Sequence, residues 1–261
     1  MNRPILLALL FIAWLGVVFA ALSGGGADHE LLNVSYDPTR ELFRHVNRAF
    51  REDYFNRTGK SVLIRQSHGG SGSQARSVLD GMPADVVSLA MWMDVDSLAT
   101  KRQLIPKDWM SRLPNRSLPY TSTIVFVVRK GNPKGIHDWP DLVEKPGVQI
   151  VTANPKTGGG AKLSLLGGWG AVYLKDGPEA ADEFVRRMYE RVPVLDTGAR
   201  GATITFAPRG TGDVHLTWEN EALWEVQELT DDLAVVYPAS GSIPPQPNVA
   251  LGAATAKQRA T

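Results

Sequence analysis

Val62-Leu63-Ile64-Arg65-Gln66-Ser67-His68-Gly69-Gly70-Ser71-Gly72-Ser73-Gln74-Ala75-Arg76-Ser77-Val78-Leu79-Asp80-Gly81 is the stretch whose reading decides the fold. The apolar run 62–64 predicts a strand. Residues 66–72 predict a glycine-rich loop, and 73–80 a helix closed by Gly81. The first N–H groups of a helix have no internal acceptor, and its dipole favours negative charge at that end. A strand, a glycine turn and a helix N-terminus together therefore make an anion site. A tight βα connection without a ligand has the same local sequence, so one such stretch decides nothing by itself.

The design recurs on both sides. Upstream, Leu31–Tyr36 reads as a strand, and Asp37-Pro38 opens a helix with Asp37 as its cap and Pro38 at its first position. Leu42, Val46, Ala49, Phe50 and Tyr54 form the apolar face of that helix. Downstream, strand 85–90 and a helical piece over 95–104 continue a βαβ rhythm, which predicts a mostly parallel sheet. Thr123–Val128 is the strongest strand in the chain. Strand 148–151 runs into Asn154-Pro155-Lys156-Thr157-Gly158-Gly159-Gly160, with a helix from about Ala161. An amphipathic helix over 179–191 precedes Val194-Leu195, the turn Asp196–Gly201 and a helix over 201–207. Strand 213–217 ends at Trp218, and 233–237 is the last clear strand.

Four strand ends thus carry small residues and free N–H groups: Tyr36-Asp37, Gly70-Ser71, Gly159-Gly160 and Gly198-Ala199, with Trp218 at a fifth. In open α/β sheets the ligand lies at the carboxyl ends of the strands. Converging helix N-termini and an indole N–H supply donors and no acceptors, which selects a fully ionised, multiply charged oxyanion.

Composition agrees. The 261 residues are 43% hydrophobic and 21% charged with formal net charge +1 and no basic block, which argues against nucleic acid as a partner. The chain has no cysteine, which excludes disulfides, thiolate metal sites and cysteine nucleophiles. No cofactor or metal motif is present. Residues 1–23 carry Arg3, an apolar run and Val18-Phe19-Ala20, and read as a secretory signal peptide; an uncleaved membrane anchor is the competing reading. Either places the remaining chain outside the cytoplasm, in the periplasm.

Taken together, Val34-Ser35-Tyr36-Asp37-Pro38-Thr39-Arg40, Ser67–Gly72, Ala84–Val87, Pro119–Phe126, Lys130–Lys134, Gly198–Gly201 and Trp218–Ala222 resemble the periplasmic sulfate-binding proteins of ABC importers. The resemblance spans about Leu31 to Val249. It implies an α/β, two-lobed type II (Venus-flytrap) periplasmic-binding-protein fold, with mostly parallel sheets flanked by helices. Residues 28–122 with 229–261 would form one lobe and 123–228 the other. It implies a monomer that binds sulfate, with thiosulfate or another tetrahedral oxyanion as the alternative, and that delivers it to a membrane permease. The implied sulfate-binding residues are Asp37, Ser71, Gly158, Gly159, Gly160, Ala199 and Trp218.

Two departures stand out. The family usually has serine where this chain has Gly158, so one hydroxyl donor is missing unless Thr157 or a water replaces it, at a cost of about 1.5–3 kcal/mol. The family also continues with several helices beyond the stretch that resembles Asn248–Leu251, whereas this chain stops at Thr261, so an incomplete first lobe and a non-functional fragment are also to be weighed. Among enzymes, Gly69-Gly70-Ser71-Gly72-Ser73 approaches a serine-hydrolase elbow but ends in Ser, with His68 as the nearest base. Arg200 reads as a supporting residue and His68 as a structural hydrogen-bonder.

Overall fold

The computed structural model describes residues 27–229, 231–242 and 248–251; the expected signal peptide lies outside them. The chain divides into two units, residues 1–31 with 46–65 and residues 32–45 with 66–261.

The small unit holds the first residues of β1 (His29–Tyr36) and β2 (Val62–Gly69) and most of α1 (Arg40–Thr58). Asp28 ties it together. Its carboxylate accepts from the N–H and hydroxyl of Ser61 at 2.7 and 2.8 Å, and those bonds hold it below the usual carboxylate range. Tyr54 meets His29 edge-on and stacks on Phe50. The apolar face read along α1 stays open. Leu42, Val46 and Phe50 keep 44, 46 and 38% exposure, and no α1 residue is buried. Its helical pattern is therefore satisfied locally, by pairs such as Arg57–Asp53 at 2.7 Å, rather than by burial.

The large unit is built on two sheets. The first has the order β2-β1-β3-β9, with β3 at Val86–Leu89 and β9 at Asn248–Leu251. β1 and β3 run parallel with Val34 opposite Val87. Val34, Val87 and Leu89 pack with Ala75 and Val78 of α2 (Ser71–Leu79) and Val95 and Leu98 of α3 (Trp92–Arg102).

The second sheet has the order β6-β5-β7-β4-β8: β4 Ile124–Arg129, β5 Ile150–Ala153, β6 Leu195–Asp196, β7 Val214–Trp218 and β8 Leu233–Val236. β4 shows why this sheet is sandwiched. Ile124, Phe126 and Val128 pack with Leu163 of α4 (Gly159–Asp176) and Phe184 and Met188 of α5 (Pro178–Glu190). Val125 and Val127 point the other way, against Ala202 and Phe206 of α6 (Ala199–Phe206) and Ala222 of α7 (Glu219–Trp224). A strand covered on both faces reads as an unbroken apolar run, because both periods of the pleat are buried.

The structure refines the sequence reading in three places. Beside its parallel pairs each sheet holds antiparallel ones: β4 is antiparallel to β7 and β8, and β9 to β3. These strands lie next to the points where the chain passes from one sheet to the other, and entry from the far side reverses a strand's direction. β8 belongs to the second sheet, so the return to the first comes at β9 and not at 229. β9 lies in a Pro-, Gly- and Ala-rich segment with no strand pattern of its own; its place depends on β3 offering a free edge. Finally, β2 runs through Gly69 and α2 starts at Ser71, which leaves Gly70 alone as the turn.

α4 and α5 approach closely because α4 presents glycines. A β-carbon on Gly168 would lie 2.8 Å from the Phe184 ring and 3.0 Å from Trp139, whereas one on Gly170 meets nothing within 4 Å. Gly168→Ala is expected to destabilise by about 1–3 kcal/mol through overpacking. Gly170→Ala is expected to stabilise by roughly 0.5–1 kcal/mol through helix propensity. Urea unfolding measures both; equal effects would show that α4 is free to shift away from its neighbours.

Candidate anion-binding site

The site forms where strand ends and helix starts meet. α2, α4 and α6 begin at Ser71, Gly159 and Ala199, two residues earlier than their sequence patterns predict. The residue before each is Gly70, Gly158 or Gly198, in extended backbone and with no side-chain cap. A serine or aspartate there would accept from the first turn; glycine has nothing to offer. The first N–H of each helix stays free, and each helix presents roughly half a positive charge at this end.

Asp37 arrives differently. Asp37–Thr39 is a single 3-10 turn with Tyr36 at its cap position, so Asp37 is not the helix cap that the sequence suggests. Its carboxylate instead accepts from Arg40 at 2.9 Å. This leaves the Asp37 N–H at the end of β1.

Asp37, Ser71, Gly158, Gly159, Gly160, Ala199 and Trp218 line one cavity. It offers about 20 Å³ to the centre of a water-sized sphere. One water needs about 10–15 Å³ on that measure, so the space suits one small ion. The walls contain no Lys or Arg side chain. The N–H groups of Asp37, Ser71, Gly159, Gly160 and Ala199 have no protein acceptor among the described residues. Gly158 differs: its N–H donates to the Asn154 carbonyl at 2.8 Å, so it shapes the wall without supplying a donor. Thr157 does not replace the missing hydroxyl, since its own donates to Asn154 at 3.2 Å.

The glycines are set by contact. A β-carbon on Gly160 would come within 2.2 Å of the Trp218 indole nitrogen, and one on Gly159 within 2.6 Å of Ala90. Trp218 is buried and tilts against Tyr36 with 5.3 Å between ring centres. The Tyr36 hydroxyl bonds to that of Tyr120. Burial pushes Tyr36 well above the usual phenol range and Tyr120 up to about 12, so both stay neutral.

Asp37 and His215 line the cavity, and other charged groups surround it. Ser71 donates its hydroxyl to Asp94 at 2.6 Å and accepts from the Ala90 N–H at 3.0 Å. Lys162 of α4 reaches the other oxygen of Asp94 at 3.1 Å. Arg200 bonds Glu41 at 2.8 and 3.1 Å, bonds Glu221 at 3.1 Å and lies over the Trp224 ring. Burial raises the Glu221 carboxyl, an effect that Arg200 opposes. The Thr157 carbonyl accepts from Gly72 and Ser73 at 3.0 and 3.3 Å. Three of these contacts join an element of the first sheet's side to one of the second: Lys162 with Asp94, Arg200 with Glu41, and the Thr157 carbonyl with Gly72 and Ser73.

His68 bonds the Ser35 hydroxyl and Gln66, each at 2.7 Å, and burial together with Arg40 lowers its pKa. It makes no bond to Ser71, so no nucleophile–base pair forms at this loop. The sequence reading gave no site role to Asp94, Lys162 or Tyr120, because their partners lie 23 to 84 residues away. Thr217 also lines the cavity; it precedes Trp218 at the strand end, which was the available signal.

Comparison with known proteins is consistent across the chain. A model of the bacterial extracellular solute-binding protein family matches residues 31–261. The sulfate-binding protein of Escherichia coli (strain K12) is 53% identical over 236 residues, 90% of this chain and 71% of that one. The thiosulfate-binding protein of Pseudomonas aeruginosa is 49% identical over 237 residues, 89% and 71% of the two chains. Among solved structures, the sulfate-binding protein SubI from Mycobacterium tuberculosis superposes with a TM-score of 0.77 at 32% identity, covering 86% of this chain and 76% of that one. The two-sheet architecture, the glycine-capped helix starts and these matches agree: the chain belongs to the bacterial extracellular solute-binding proteins and has their type II periplasmic-binding-protein fold.

Proposed function

We propose that this protein captures sulfate in the cavity between two lobes, in the periplasm, and delivers it as a monomer to a membrane ABC permease. The observation that carries this reading is the donor set: five backbone N–H groups and one indole around a space for one small ion, with no Lys or Arg side chain in the wall. Asp37, Ser71, Gly159, Gly160, Ala199 and Trp218 are the proposed donors; Gly158 shapes the wall. The lobes are centred on the two sheets, one taking residues 28–122 with the return at β9, the other running from 123 through β8. Residues 1–23 direct export. Relatives at 53 and 52% identity that are named sulfate-binding proteins support the ligand class.

Thiosulfate is the second reading, favoured by the relative at 49% identity that carries that name. The small cavity and the uniform donors speak for sulfate, because a terminal sulfur is larger than oxygen and a weaker acceptor.

Donors alone accept a fully ionised anion and leave a protonated oxyanion's hydrogen without a partner. Calorimetry is expected to show sulfate binding that changes little between about pH 5 and 8, with phosphate bound at least about a hundredfold more weakly. Comparable affinities for the two at neutral pH would sink the donor-only site. Gly160→Ala is expected to displace the Trp218 indole and to weaken sulfate binding by at least about tenfold, the loss of one hydrogen bond to a charged group. Undiminished affinity in that variant would remove Trp218 from the donor set.

A further inference from the structure

Four hydroxyl-bearing side chains line the cavity or stand next to its wall, and three of them are engaged. Ser71 donates to Asp94, Tyr36 bonds Tyr120, and Thr157 donates to Asn154. The fourth is Thr217. This residue is 3% exposed and lines the cavity, and its Oγ1 is buried with no hydrogen-bond partner among the described residues. Thr217 pairs with Val125 across β4 and so shares that residue's face of the sheet. This is the face covered by α6, whose Ala199 and Ala202 also line the cavity.

A buried hydroxyl without a partner is costly, and native interiors avoid it unless something fills the gap. Thr152 and Thr205 also have unpaired buried hydroxyls, but neither lines the cavity. Among the described residues Thr217 alone combines an unpaired buried hydroxyl with a place in the cavity wall. We infer that the Thr217 hydroxyl is a further ligand donor, which binds an oxygen of the tetrahedral oxyanion alongside the backbone N–H groups. It supplies the wall with the side-chain hydroxyl that Gly158 does not. The inference rests on the sulfate reading above.

The test is calorimetric titration of the purified chain with sodium sulfate at pH 7. Thr217→Val keeps the shape and removes the hydroxyl, and is expected to weaken sulfate binding by about tenfold or more, as for a lost hydrogen bond to a charged acceptor. Thr217→Ser is expected to bind within a few-fold of the unmodified chain, about the effect of one lost methyl. Thr152→Val is expected to leave binding unchanged. Without sulfate, the thermal midpoint of Thr217→Val is expected to equal or exceed that of the unmodified chain, since an unpaired polar group has been removed; this separates a lost contact from a damaged fold. Sulfate affinity in Thr217→Val equal to that of the unmodified chain would overturn the inference while leaving the sulfate reading intact. No uptake of sulfate by the unmodified chain would overturn both.

Discussion

Helix N-termini hold an anion only where nothing else satisfies them first. In this protein the residues at Gly70, Gly158 and Gly198 meet that condition by having no side chain, so the N–H directly after each remains free. The same absence lets the walls meet. A β-carbon on Gly70 would lie 2.5 Å from the Thr157 carbonyl and 2.7 Å from that of Thr197, and one on Gly198 would lie 2.2 Å from the Asp37 carboxylate. One added carbon at either position would hold the two sheets apart. The glycines therefore keep the donors free and permit the approach that gathers them.

The charged side chains support this arrangement from outside the cavity. Asp94 holds the Ser71 hydroxyl on one side and Lys162 on the other, so an ion pair fixes the start of α2 against α4. Arg200 sits one residue beyond Ala199 and is drawn away from the cavity by Glu41 and Glu221. A cation in the wall would attract anions of any protonation state. Dipoles fixed by the fold discriminate through geometry, because each N–H needs an acceptor along its own direction.

Much of the architecture was readable along the chain. The alternation of apolar runs and helical patterns located eight of the strands, and the glycine-rich strand ends pointed to one crevice. Trp218 stands at the end of β7, the strand end that the sequence pattern located. The misreadings were local. Asp37 has the sequence of a helix cap but lies inside a 3-10 turn, where its carboxylate finds Arg40 nearer than any first-turn N–H. The α1 face from Leu42 to Phe50 is no misreading: the period gives its apolar side, and that side is exposed, since periodicity reports what a face could bury and not what covers it.

What the sequence determined by itself was what backbone chemistry dictates over a few residues. It set which segments pleat or coil, where glycine leaves helix starts uncapped, and that no thiol takes part. Tertiary structure alone decided how those pieces combine. It placed β9, whose own sequence lacks a strand pattern, on the free edge of β3. It engaged the hydroxyls of Ser71 and Tyr36 and left that of Thr217 unpaired at the cavity. The partners of Ser71 and Tyr36 lie 23 and 84 residues away in the chain, and such pairings are visible only once the chain has folded.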